Sequence, residues 1–305
     1  MIRRICSQFG MLVLLATLFS CPPLRAQSAG CADIASPSPV SAQKTKISIT
    51  GVEFESGSPI SDTLRAQLAK DIQEQEQWAT PEESDSSWID EAVSPVRDSL
   101  RNQGYFKAVV EGTPYLVRAL AAEKLYVLRV TVDSGPKFML GNIRFTTASG
   151  TPLVFSEALL RQQFQLQDGG LFDVSKIRDG LEAIGRLYGS KGYIDATPEP
   201  DTTIDEKDSR IDVLIKVDEQ KPYRIAKIEF LGLGTKTRNE LSAPQQVGDF
   251  FNPALWHTFF KANKPLLPPD SSPSRNMPVS RDTTNGIVDI TLDFRSCPKT
   301  EARNL

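Results

Sequence analysis

One histidine, His257, and four cysteines, Cys6, Cys21, Cys31 and Cys297, are all that 305 residues offer in the way of soft metal ligands or strong nucleophiles. No two cysteines lie close together, which excludes the usual zinc spacings. No Gly-x-Ser-x-Gly elbow occurs, so a Ser–His–Asp triad would have to use His257. That residue sits beside Trp256 in an aromatic stretch, where a surface or core-edge histidine is expected. Gly232-Leu-Gly-Thr-Lys-Thr237 resembles a phosphate loop but lacks the four-residue spacing before Gly-Lys, and reads as a turn. Acidic side chains are scattered over polar faces, and no pair can be placed together for acid–base work. The expectation is a binding protein with no cofactor, no metal site and no catalytic residue.

The elements that organise the chain are two copies of one helix. Ile177, Leu181, Ile184 and Tyr188 recur at i, i+4, i+7 and i+11, one face of an α-helix. The helix is expected to stop at Gly192, because glycine readily takes the left-handed geometry of a helix end. Tyr193 and Ile194 then begin an extended segment. Ile89, Val93, Val96 and Leu100 repeat the spacing and end at Gly104, followed by Tyr105 and Phe106, at an offset of 88 residues. Tyr105 and Tyr193 are expected to pack under the sheets. Four matched apolar positions and a matched stop indicate a tandem repeat of a small domain.

The termini differ in composition from the rest. Arg3 and Arg4 precede the apolar run Met11 to Phe19, too short to span a bilayer. Leu24-Arg25-Ala26 offers a signal-peptidase site, so residues 1–26 read as a secretory signal. The rival reading is a lipoprotein signal, Leu18-Phe19-Ser20-Cys21, with Cys21 carrying the lipid. Either way the chain is exported. Loss of residues 1–26 removes Arg3, Arg4 and Arg25 and no carboxylate, taking the formal charge from −3 to −6. With no basic run or aromatic-interleaved basic patch, nucleic acid is not an expected partner.

In chain order, residues 27–45, with Ser-Pro-Ser-Pro, read as a disordered leader. The first repeat spans 46–135. It opens with a strand kinked at Gly51, continues with a helix capped by Ser61 or Asp62, and closes at the turn Asp133-Ser134-Gly135-Pro136. The second spans 136–220, with a strand from Phe138, a helix over 155–164, the helix described above, and strands from Ile194 and over 211–217. A degenerate third spans 221–296: Trp256 and Phe260 keep the apolar face, Asn263 interrupts it, and no Gly-Tyr follows. Residues 297–305 are a tail. Each unit reads β-α-α-β-β, so the fold class is α+β, with small three-stranded mixed sheets each covered by two helices.

This order, with Gly-Tyr closing the second helix, resembles the POTRA (polypeptide-transport-associated) domain. The residues carrying the resemblance are the two Gly-Tyr stops, the openings Ile143-Arg144-Phe145 and Ile228-Glu229-Phe230, and the junctions Asp133–Pro136 and Asp218–Pro222. Such domains form the periplasmic arm of outer-membrane assembly factors of the BamA and TamA type, where a membrane β-barrel follows the last repeat. This sequence ends at Leu305, so the resemblance implies a barrel-less relative or a partner chain that supplies the membrane part. It implies a periplasmic module, peripheral to the outer membrane, that binds outer-membrane polypeptides or a barrel partner through a free sheet edge. The alternative is an envelope scaffold that docks folded partners. The run Phe106, Lys107, Ala108, Val109, Val110 and Glu111 is the expected edge, being free of proline; Pro198 and Pro200 are expected to cut the second repeat's edge short. Cys31 and Cys297 are not expected to bridge. Three units in a row span about 80–100 Å by size scaling, against a leader reach of at most ~50 Å.

Overall fold

A computed structural model of the chain describes residues 45–57, 59–79 and 87–295. The signal and leader, Cys21, the Cys31–Cys297 pair and the tail lie outside the described residues.

In the first repeat, β1 (Thr45–Phe54) leads to α1 (Asp62–Glu74), β2 (Gln77–Ala79), α2 (Ser87–Asn102), β3 (Val109–Ala119) and β4 (Glu123–Asp133). Ser61 caps α1, its hydroxyl accepting the Leu64 N–H, and Leu68 and Ile72 bury the helix's apolar face. The sheet order is β2-β1-β4-β3, with β1 parallel to β4 and the β3–β4 pair antiparallel. Gly51 marks a register shift in the β1–β4 pairing. The sheet therefore has four strands rather than three. Gln77-Trp78-Ala79 turns back from α1 and pairs with Thr45–Ile47, a segment too short to carry a periodic signal.

The second repeat comprises β5 (Met139–Thr147), α3 (Glu157–Arg161), α4 (Val174–Gly189), β6 (Thr197–Asp205) and β7 (Arg210–Asp218), in the sheet order β5-β7-β6. The first helix here is shorter than its apolar pattern suggests. Ser156 caps it, and it has ended by Gln162, before Phe164 turns into the core. The third repeat contains β8 (Arg224–Leu231), α5 (Thr235–Glu240), α6 (Pro253–Ala262), α7 (Pro273–Asn276), β9 (Val279–Asp282) and β10 (Ile287–Asp293), ordered β8-β10-β9. All three sheets share one plan: the first strand lies parallel to the last, and the penultimate strand pairs antiparallel with the last and forms an edge.

Each repeat has its own apolar core. The first is built on Ile72, Val93, Val96, Leu100, Leu128 and Val130. Phe138, Leu140, Leu160, Ile184, Tyr188 and Ile215 form the second. Tyr223, Trp256, Phe259, Ile290 and Leu292 form the third. Burying a side chain of this size stabilises by roughly 1.5–3 kcal/mol.

Candidate polypeptide-binding edge and the joints beside it

The Gly-Tyr pairs lie just past the two amphipathic helices. α2 ends at Asn102 and α4 at Gly189, and Gly104 and Gly192 both have φ of 87°. The Tyr105 N–H donates to the Leu100 carbonyl at 3.0 Å, and the Tyr193 N–H to the Tyr188 carbonyl at 3.1 Å. These bonds satisfy carbonyls that a helix end leaves open. Tyr105 packs on the first core and Tyr193 on the second.

The same glycines also receive the next repeat. The Phe138 N–H donates to the Gly104 carbonyl and the Tyr223 N–H to the Gly192 carbonyl, each at 2.8 Å. A side chain at either position would collide with the incoming chain. A Cβ at 104 would lie 2.5 Å from Leu171 Cδ1, and one at 192 would lie 2.7 Å from the Tyr223 carbonyl oxygen. Two residues further on, Phe106 and Ile194 pack against the core of the following repeat. Phe106 meets Phe172 edge-on, with ring centroids 5.3 Å apart. Lys107 forms an ion pair with Glu206, beyond the end of β6. Asp195, the matching residue, accepts from the Tyr223 hydroxyl at 2.7 Å and from Arg281 Nη1 at 2.6 Å. Burial and the bond to Asp195 raise the pKa of Tyr223, which keeps its hydroxyl a donor.

These contacts divide the six residues of the expected edge. Phe106 and Lys107 reach into the second repeat. Ala108, just before the strand, is buried in the first core. Val109, Val110 and Glu111 lie in β3, which runs on through Pro114 to Ala119, well beyond the proline-free run.

Backbone direction along β3 follows from one bond. The Glu55 N–H donates to the Val130 carbonyl, so the polar groups of Val130 face β1 and those of Arg129, Thr131 and Asp133 face β3. Their partners Thr113, Glu111 and Val109 therefore point their N–H groups into the sheet. Val110, Gly112 and Leu116 point theirs outward, where no described strand pairs with them. Pro114 occupies an outward position, where a proline costs the ladder nothing.

The second repeat shows the same logic with the opposite result. Pro198 and Pro200 do not end the strand; both lie within β6, paired with Val217 and Ile215. The Ala148 N–H donates to the Val217 carbonyl, so Val217 faces β5 and both prolines face outward. They strip two donors from the free side, the usual way of blunting an edge. β9 has four residues. β3 is thus the long penultimate-strand edge that keeps most of its donors.

The far half of β3 is also apolar and exposed: Tyr115, Leu116, Val117 and nearby Leu120 are all 45% exposed or more. Arg129 lies over the Tyr115 ring at 5.0 Å, its Nη1 donating to the hydroxyl at 3.2 Å. Its Nη2 also pairs with Glu53 at 3.4 Å, so an ion pair sits on the open sheet face beside the edge. The proline-free criterion missed this half because a proline in an edge strand is harmless when its nitrogen faces solvent.

Elsewhere, a cavity of about 560 Å³ lies between α4 and α6, lined by Gly185, Gly189, Ile194, Asn252, Ala254 and His257. His257 is exposed at this cavity. Among the described residues no group of three or more His, Cys, Asp or Glu is placed to hold a metal ion. Nor is any helix among them long and apolar enough to cross a membrane.

The family model for POTRA, described as a surface antigen variable number repeat, matches residues 140–220. No curated protein matches the chain. Among solved structures, BamA POTRA3-5 of Haemophilus influenzae is 18% identical, with 85% of this chain and 100% of that one covered at a TM-score of 0.54. POTRA1-3 of the periplasmic domain of Omp85 from Anabaena is 15% identical, with 83% and 96% covered at a TM-score of 0.34. Residues 140–220 therefore resemble a POTRA domain, and the described chain has the fold of POTRA domains in tandem.

Proposed function

We propose that this chain is a periplasmic polypeptide-binding module that assists outer-membrane protein assembly or translocation. It takes a client or partner chain as an added strand on the outer edge of β3. One observation carries the reading: β3 is an eleven-residue edge strand whose outward amides at Val110, Gly112 and Leu116 meet no described strand. Backbone bonding of this kind is tolerant of sequence and suits a carrier of many clients. The working edge is Val109 to Val117, not Phe106 to Glu111, because the joint to the second repeat occupies Phe106 and Lys107. The likeness to BamA POTRA domains supports the outer-membrane setting. The module binds and positions chains and does no chemistry on them.

The choice of proline substitution decides what the test measures. Val109→Pro would remove a donor that faces β4 and cut the sheet itself. Leu116→Pro removes an outward donor at an exposed residue beside a register shift, where proline is tolerated. One lost hydrogen bond is worth about 0.5–1.5 kcal/mol, so capture of a urea-unfolded outer-membrane porin should weaken about two- to tenfold. The readout is crosslinking from a photoreactive residue at Thr113. A folded Leu116→Pro variant that captures the porin as well as the parent would exclude this edge and favour an envelope scaffold docking folded partners.

A further inference from the structure

The edge of β3 is self-complementary about Thr113. Residues 109–117 read Val-Val-Glu-Gly-Thr-Pro-Tyr-Leu-Val, with valine at both ends and an aliphatic residue, Val110 or Leu116, one place in. Two such strands laid antiparallel with Thr113 opposite Thr113 pair Val109 with Val117, Val110 with Leu116, Glu111 with Tyr115 and Gly112 with Pro114. Side chains alternate across a strand, so each of these pairs shares one face of the sheet. Val110 is buried on the helix side, which places Glu111, Thr113 and Tyr115 on the open face.

The outward-facing backbone groups fall in the right places. Val110 and Leu116 both point their N–H and carbonyl away from β4, so each such pair exchanges two bonds. Gly112 donates to the Pro114 carbonyl, and Pro114, which has no N–H, meets the one residue without a side chain. A twofold axis repeats every bond, giving about six across the edge. An axis at Pro114 instead would set two residues without donors face to face. An axis at Gly112 would run Val117 against Lys107, which Glu206 of the second repeat holds.

Charge matches across the same axis. Glu111 is exposed and has no ion-pair partner among the described residues. Its place opposite Tyr115 brings it to the guanidinium of Arg129, which lies over the Tyr115 ring at 5.0 Å. The contact of Arg129 with Glu53 is exposed and 3.4 Å long, and a guanidinium has donors enough for a second carboxylate. Symmetry makes this contact twice. Contacts in which residue i meets j and j meets i define an isologous interface between two copies.

We propose that β3 pairs with the β3 of a second copy of this chain, in an antiparallel dimer about Thr113 that covers the edge until a client takes it. The inference deepens the reading of β3 as an open edge and rests on it. Nine residues a side is well under the ~20–30 of a standard interface, so a client strand can displace the second copy.

Thr113 is the one residue of β3 that this pairing sets opposite itself. At a non-hydrogen-bonded antiparallel pair the Cα atoms lie about 4.5 Å apart, within disulfide reach. In a full chain with Cys6, Cys21, Cys31 and Cys297 replaced by serine, Thr113→Cys should oxidise to a disulfide dimer. Glu111→Cys and Tyr115→Cys should each stay monomeric under oxidation and crosslink when mixed. Sedimentation of the cysteine-free chain should show a concentration-dependent dimer that unfolded porin dissociates. Leu116→Pro removes two of the bonds and should weaken it about four- to hundredfold. Glu111→Gln should weaken it less and remove its salt dependence. Self-crosslinking of Glu111→Cys as strong as that of Thr113→Cys, or a monomer at every concentration, overturns the pairing. A monomer that still captures porin at Thr113 sinks this inference alone. A Thr113-paired dimer that porin leaves intact sinks the client reading and keeps the pairing.

Discussion

Two glycines five residues apart in α4 should respond to the same substitution with opposite signs. Gly180 is buried against Phe164: a Cβ there would lie 2.7 Å from Phe164 Cγ and closer still to Cδ1 and Cε1. Carbon atoms in contact prefer about 3.5–4.0 Å, so the nearest ring atoms would have to retreat by well over ~1 Å. The ring has little room, being 5% exposed and tilted against Phe145 with ring centroids 6.0 Å apart. Overpacking of this kind costs about 1–3 kcal/mol, and the rigid ring argues for the upper end. Against it stands the gain of about 1 kcal/mol from replacing glycine with alanine inside a helix. Gly180→Ala should therefore destabilise the second repeat by about 2 kcal/mol. A Cβ at Gly185 meets nothing within 4 Å, so Gly185→Ala should stabilise it by about 1 kcal/mol. Three repeats do not unfold as one two-state unit, so the assay is hydrogen exchange at the β7 amides of Val213 and Ile215. Those amides report the opening of this repeat alone. Shifts of the same sign in the two variants would refute the packing account of α4.

Two further outcomes follow from buried polar groups. Tyr188 is fully buried, and burial together with the 2.6 Å bond to Glu219 raises its pKa. A raised folded value keeps the proton on the fold, so this contribution is whole below the unfolded value of about 10 and is lost as pH rises above it. Melts across pH 9–11 should therefore fall more steeply for the parent than for Tyr188→Phe; equal slopes would contradict the assignment. Gln245 accepts from the Asn252 N–H at 2.9 Å and from Trp256 Nε1 at 3.1 Å, and donates to the Phe250 carbonyl at 2.6 Å. Gln245→Ala leaves these groups unmatched inside the third repeat and should cost about 2–3 kcal/mol, with a red shift of Trp256 emission; a change under about 1 kcal/mol would show that water replaces the amide.

By itself the sequence determined the repeated α+β plan. The apolar face of each long helix, the alternation of β7 and β10 and the turn residues at the repeat boundaries are local signals, governed by backbone geometry within a few residues. Together they carry the resemblance to tandem POTRA domains. Tertiary structure decided everything that depends on which side of a strand faces a neighbour. Pro114 reads as a strand breaker in isolation, yet it lies harmlessly in β3 because its nitrogen points to solvent. Pro198 and Pro200 sit inside β6 for the same reason. Phe106 and Ile194 look like the opening residues of strands, but each packs on the following repeat. Asp195 gives no sign in sequence of its bond to Arg281, 86 residues away. A one-residue change of register exchanges the two sides of a strand, and only the paired neighbour sets the register.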